Sequence, residues 1–103
     1  MSKDLIILDS ALEDLTNIRN YISLNNSTYT YSKFHKEFQE GLESLIINPR
    51  SRPILFKRHN VEYRKLLLKR YIVIYYVNSD YLVCIYRIFH QAQNYHKYLG
   101  IKP

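Results

Sequence analysis

"EYRKLLLKRYIVIYYVNSDYLVCIYRIFH", Glu62 to His90, decides the fold. It holds three runs rich in Val, Ile, Tyr and Phe: EYRKLLL, YIVIYYV and YLVCIYRIF. The last two are parted by Asn78-Ser79-Asp80. Short β-branched and aromatic runs punctuated by Asn, Ser and Asp predict antiparallel strands joined by tight turns. Strict alternation along the last run places Leu82, Cys84, Tyr86, Ile88 and His90 on one face, and Tyr81, Val83, Ile85, Arg87 and Phe89 on the other. In EYRKLLL the same rule sets Arg64, Leu66 and Leu68 against Tyr63, Lys65 and Leu67. No face is uniformly polar. The sheet therefore offers an aromatic and basic groove, or is covered on both sides, by helices on one and by a partner on the other.

Working outward, ILFKR lies between Pro53 and the turn-like His59-Asn60 and reads as a further short strand. Before Asn48-Pro49 the period becomes helical. Phe34, Phe38, Leu42, Leu45 and Ile46 make an apolar stripe over residues 29–47, and Ala11, Leu15, Ile18 and Ile22 make another. Ser10 and Glu13 have the spacing of a capping box, and SLNNST separates the two helices. KDLIIL precedes them as a short strand, and residues 94–99 form a short helical tail. The expected fold is α+β, one domain over residues 1–103. It comprises an N-terminal strand, an antiparallel two-helix hairpin, a three- to four-stranded curved antiparallel sheet and the tail.

Composition narrows the class. The apolar fraction of 47% and charged fraction of 23% are those of a globular chain. The single cysteine, Cys84, sits in an apolar run, and there is no disulfide framework, metal-spaced Cys/His set or cofactor motif. The N-terminal apolar run is too short for a signal peptide, so the expected location is the cytoplasm. Charge is strongly asymmetric. Residues 1–49 carry seven acids and four Lys/Arg, whereas residues 50–103 carry two acids and eleven Lys/Arg. Eight of those eleven lie between Arg50 and Arg70, and eight of the eleven tyrosines lie from Tyr63 onward. Such a strip attracts polyanions or acidic protein segments, and Tyr with Arg suits stacked bases as well as protein interfaces. Tyrosine is also simply a good strand former.

The ordered set ALEDLTNIRNYI, LESLIINP and YRKL…YIVIYYV…IYRIFHQAQNY resembles the RelE/ParE superfamily of bacterial type II toxins, over about residues 5–99. The resemblance implies a growth-inhibiting toxin wrapped and silenced by a cognate acidic antitoxin, as a hetero-oligomer and without a cofactor. RelE-like members enter the ribosomal A site and cleave mRNA without a metal, whereas ParE-like members inhibit DNA gyrase.

Metal-free RNA cleavage requires a general base, a general acid and neutralisation of phosphorane charge. RelE-like toxins generally fill these roles with cations on the middle strands and a tyrosine or histidine near the C-terminus. On that pattern Arg64, His90 and Tyr95 are the catalytic candidates. Leu66, Ile72, Gln91 and Gln93 stand where such a nuclease carries basic residues. The ParE-like pattern instead has Tyr63, Arg64, Arg87 and His90 as its recurrent residues, and it is the favoured reading. The chain is thus a gyrase inhibitor or, alternatively, an endoribonuclease acting on the ribosome and mRNA. Taken singly, His90 reads as a hydrogen-bonded histidine at a strand end. Arg87 reads as a structural donor to a helix terminus or the tail, and Tyr95 and Tyr98 as anchors of the tail helix. Lys57, Arg58, Lys65, Lys69 and Arg70 are the expected contacts to target or antitoxin.

Overall fold

A computed structural model of the chain describes residues 5–25 and 28–102. The elements are β1 (Leu5–Ile7), α1 (Asp9–Leu24), α2 (Tyr31–Ile47), β2 (Ile54–Arg58), β3 (Val61–Leu67), β4 (Tyr71–Val77), β5 (Val83–His90) and α3 (Tyr95–Leu99). The mixed α+β architecture is the expected one. Lys3 and Asp4 of the first predicted strand, and Asn26 and Ser27 of the helix connection, lie outside the described residues.

The sheet has five strands in the order β1-β5-β4-β3-β2. The last four strands are antiparallel, and β1 joins the far edge in parallel to β5. β2 and β3 are joined by His59 and Asn60, both at positive φ (53° and 63°), as a two-residue type I′ turn requires. Central β4 is covered on both faces. Tyr71, Val73 and Tyr75 join the core beneath the helices, while Ile72 and Ile74 join a second core on the opposite face. That second core is closed by the chain's own tail, through Leu99, Tyr95 and Ile101.

α2 fits close to β3 because of Gly41, where a Cβ would meet Leu66 Cδ2 at 2.9 Å and Leu68 Cδ2 at 3.1 Å. Its N-cap is Thr30, whose Oγ1 accepts from the Lys33 amide at 3.3 Å, as N-cap hydroxyls do. α1 starts differently from expectation. The Ser10/Glu13 capping box does not form, because the Leu8 amide donates to Ile85 O (3.0 Å) and so extends the β1 edge directly into the helix. Leu8 is the cap residue, and Ser10, already inside α1, donates its hydroxyl to Tyr86 O at 2.7 Å.

Strict alternation also fails in β5. Ile74 pairs with Arg87 and Tyr75 pairs with Ile85, leaving Tyr86 as an extra residue. Such a bulge switches the side-chain parity beyond it. Val83 and Ile85 therefore share the helix-side core with Ile88, while Tyr86 and Phe89 face the second core. Parity before the bulge and parity after it cannot be read as one pattern.

Several tyrosines are neutral packing elements. Burial, reinforced by the Glu37 carboxylate 3.3 Å from its hydroxyl, pushes Tyr29 up to about 12. Burial also raises Tyr63, Tyr71, Tyr75 and Tyr76. Each folded phenol holds its proton more tightly than its unfolded counterpart. Their contribution to stability is therefore complete below pH 10 and is lost as pH rises from about 10 toward 12. Denaturant titrations at pH 8, 10 and 11 are expected to show a flat midpoint followed by a steep fall. An unchanged midpoint at pH 11 would contradict this account.

Candidate functional site

The end of β5 carries a polar cluster, and most of it is occupied in holding backbone. His90 Nδ1 accepts from the Ala92 amide at 3.0 Å, and the His90 amide donates to Gln93 Oε1 at 2.8 Å. The imidazole packs edge-on against Tyr71 at 5.1 Å. Gln91 donates to Leu68 O (2.6 Å) and Tyr71 O (3.2 Å), closing the turn between β3 and β4. His90 Nδ1 is thereby committed to the backbone of the turn that follows β5. His90 is thus a strand-end organiser by geometry. It borders a recess of about 600 Å³, lined also by Asn17, Tyr21, Arg87, Gln93 and Tyr98.

Arg87 is a structural donor, but its acceptor is neither a helix terminus nor the tail. It reaches into the body of α1, with Nε 2.8 Å from Asp14 Oδ2 and Nη2 3.1 Å from Oδ1. Asp14 Oδ2 also accepts from the Ile88 amide at 2.8 Å. The hydrogen bonds to Asp14 raise the Arg87 guanidinium further, against the opposing effect of burial. Asp14 was not apparent as a functional position in the sequence. Its signal is its place three residues after Ala11 and four before Ile18, where an acid interrupts the buried stripe of α1.

The three catalytic candidates do not converge. Arg64 is mostly buried, its side chain 13% exposed, and held by three contacts: Nη1 donates to Arg52 O (2.7 Å) and Arg50 O (3.2 Å), and Nη2 pairs with Glu62 (3.1 Å). It lines a separate recess of about 350 Å³ with Arg50, Asn60, Glu62 and Tyr76. Arg64 pairs with Tyr75, whereas His90 pairs with Tyr71. Four residues of strand separate these positions, about 13 Å at roughly 3.3 Å per residue. Tyr95 lines neither recess and stacks on Phe89 at 6.3 Å, beside Tyr98 on the same ring at 5.8 Å. Two of the positions where a nuclease would carry cations are core. Leu66 is 3% exposed beneath the helices, and Ile72 is 1% exposed in the second core. Among the described residues no group of three or more His, Cys, Asp or Glu side chains is placed to hold a metal ion.

The basic strip divides by role. Arg58 donates to Leu99 O at 2.8 Å and holds the tail, with its guanidinium 5.0 Å from the Phe56 ring. Arg70 lies over Tyr29 at 4.3 Å. Lys57 makes a surface pair with Glu62 at 3.6 Å, of small energetic worth. Lys69 gives its amide to Glu37. Lys57 and Arg58 stand at one end of β3 and Lys69 and Arg70 at the other, roughly 20 Å apart by strand rise, with Lys65 between them. Tyr63 is the hub of the aromatic face, stacked on Phe56 at 4.6 Å and touching Tyr76 at 5.3 Å and Tyr86 at 5.1 Å.

No curated protein gives a match to the chain. A protein-family model does, that of the ParE toxin of the type II toxin–antitoxin system parDE, over residues 5–95. No helix among the described residues is long and apolar enough to cross a membrane. The matched span runs from the first strand of the sheet through the β5 exit to the start of α3, nearly the whole fold, and membership implies an antitoxin partner: the chain belongs to the ParE toxin family of type II toxin–antitoxin systems.

Proposed function

We propose that this toxin disables DNA gyrase and is silenced by an acidic antitoxin. The observation that carries the choice of gyrase over mRNA is the burial of Leu66 and Ile72 together with the separation of Arg64 from His90. A phosphorane needs convergent cationic donors, and removing even one such donor costs about two to three orders of magnitude in rate. Here two donor positions are hydrocarbon, and Arg64 is neutralised by Glu62 and backbone carbonyls. Docking to a protein target requires no such convergence. The antitoxin is expected to present acidic side chains to Lys57, Lys65, Lys69 and Arg70, with Arg58 contributing beside the tail. Charge complementarity of that kind speeds association and selects the partner.

The test is a supercoiling assay with purified gyrase, run beside toeprinting on translating ribosomes. Inhibition of supercoiling with no A-site cleavage is the expected result. A-site cleavage that is lost in a His90→Ala, Tyr95→Phe double variant would instead establish the ribosome-dependent endonuclease.

A further inference from the structure

Tyr81 combines two properties that a structural residue does not need. Its φ of 63° lies in the left-handed region, unfavourable for a bulky side chain, and it is 74% exposed. The turn between β4 and β5 is built to hold it so. Asn78 Oδ1 accepts from the amides of Asp80 (2.9 Å) and Leu82 (3.0 Å), and the Asn78 carbonyl accepts from the Tyr81 amide (3.0 Å). Across from the ring stands Arg50, exposed, with its guanidinium carbon 5.9 Å from the ring centroid. The segment carrying Arg50 is also pinned, because Arg64 binds the Arg50 carbonyl and the Tyr75 hydroxyl donates to Pro49 O at 2.7 Å. An exposed tyrosine and an exposed arginine are thus displayed side by side on hydrogen-bonded backbone, next to the 350 Å³ recess.

We propose that this tip is the element that docks the toxin onto its protein target, with Tyr81 and Arg50 as anchors. The inference rests on the reading of the chain as a toxin with a macromolecular target. It adds the surface and the chemistry of the partner: an apolar concavity for the Tyr81 ring, an adjacent carboxylate for Arg50, and a side chain that enters the recess. Tyr and Arg are the residue types that dominate interface hot spots, ringed by polar groups that exclude water. Asn60, Asn78 and Ser79 line the recess beside Arg50. Nucleic acid fits less well, because phosphate binding needs an excess of cations. Among the residues lining the recess, Glu62 pairs with Arg64, which leaves Arg50 as the one further cation.

Tyr81→Gly isolates the side chain, since glycine suits the left-handed backbone. The full-length wild type, Tyr81→Gly and Arg50→Ala are compared in melting temperature, gyrase supercoiling inhibition, growth arrest on induction, and binding of a fluorescent single-stranded DNA oligonucleotide. Melting temperatures within about 4 °C of wild type are expected, with half-inhibitory concentrations roughly thirtyfold higher for each variant. Wild-type inhibition by Tyr81→Gly overturns the proposal. If the wild type spares gyrase but arrests growth, the gyrase reading alone fails, and the docking role then requires that Tyr81→Gly no longer arrest growth. Oligonucleotide affinity that falls in both variants overturns it in favour of a nucleic-acid partner. A wild type that neither inhibits gyrase nor arrests growth overturns both readings.

Discussion

Asp14→Ala is expected to lower the free energy of unfolding by about 3 kcal/mol, the lower end of the range for breaking a buried ion pair. The lower end applies because Arg87 is 30% exposed and can be partly rehydrated. Three hydrogen bonds end on one carboxylate, so its removal strands the Arg87 guanidinium and the Ile88 amide together. A buried backbone donor left without an acceptor adds its own desolvation penalty. For a chain of this length the melting temperature should fall by roughly 12 °C or more. Asp14→Leu combined with Arg87→Met should recover at least half the loss, since an apolar pair of similar volume often replaces a buried ion pair at little cost. A double variant no better than Asp14→Ala would show that the ion pair is not the source of the effect.

Phe34→Ala should cost about 3–5 kcal/mol, by loss of transfer energy and creation of a cavity. Phe34 is wholly buried, stacks on Phe38 at 5.7 Å and meets Tyr71 edge-on at 5.0 Å. It is the point where α2 meets β4, so neither neighbour can collapse into the gap without moving a helix. The urea midpoint should drop with little change in slope. Leu24→Ala, at a site 84% exposed, should stay within about 0.5 kcal/mol of wild type and serves as the control. Comparable losses at both positions would mean that burial does not govern stability in this fold.

The strands were legible in the sequence because period-two apolar runs bounded by Asn, Ser and Pro have few alternative readings. The helices were legible from Phe34, Phe38 and Leu45, and from Ala11, Ile18 and Ile22, all of which are buried. What escaped was non-local. The bulge at Tyr86 leaves no mark in composition, because an inserted tyrosine looks like any other strand residue. The capping box at Ser10 was overruled by a partner strand 76 residues away. Part of the basic strip proved to be internal wiring, since the acceptor for Arg58 is a carbonyl 41 residues further along. In the candidate site, the strand-end role of His90 was visible from its position, whereas the separation of Arg64 from His90 required the register of β3 on β4.

β1 accompanies β5 only as far as Ile85; beyond it, Leu8, Ser10 and Asp14 take the next edge groups of β5. This has a consequence for synthesis. Each of these bonds spans 74 to 77 positions of the chain. Closing such long loops is slow and comes late. Until β5 has been made, α1 has no sheet edge to close. A nascent chain that has not yet reached Tyr81 therefore lacks both that tip and the strand on which β1 and α1 close.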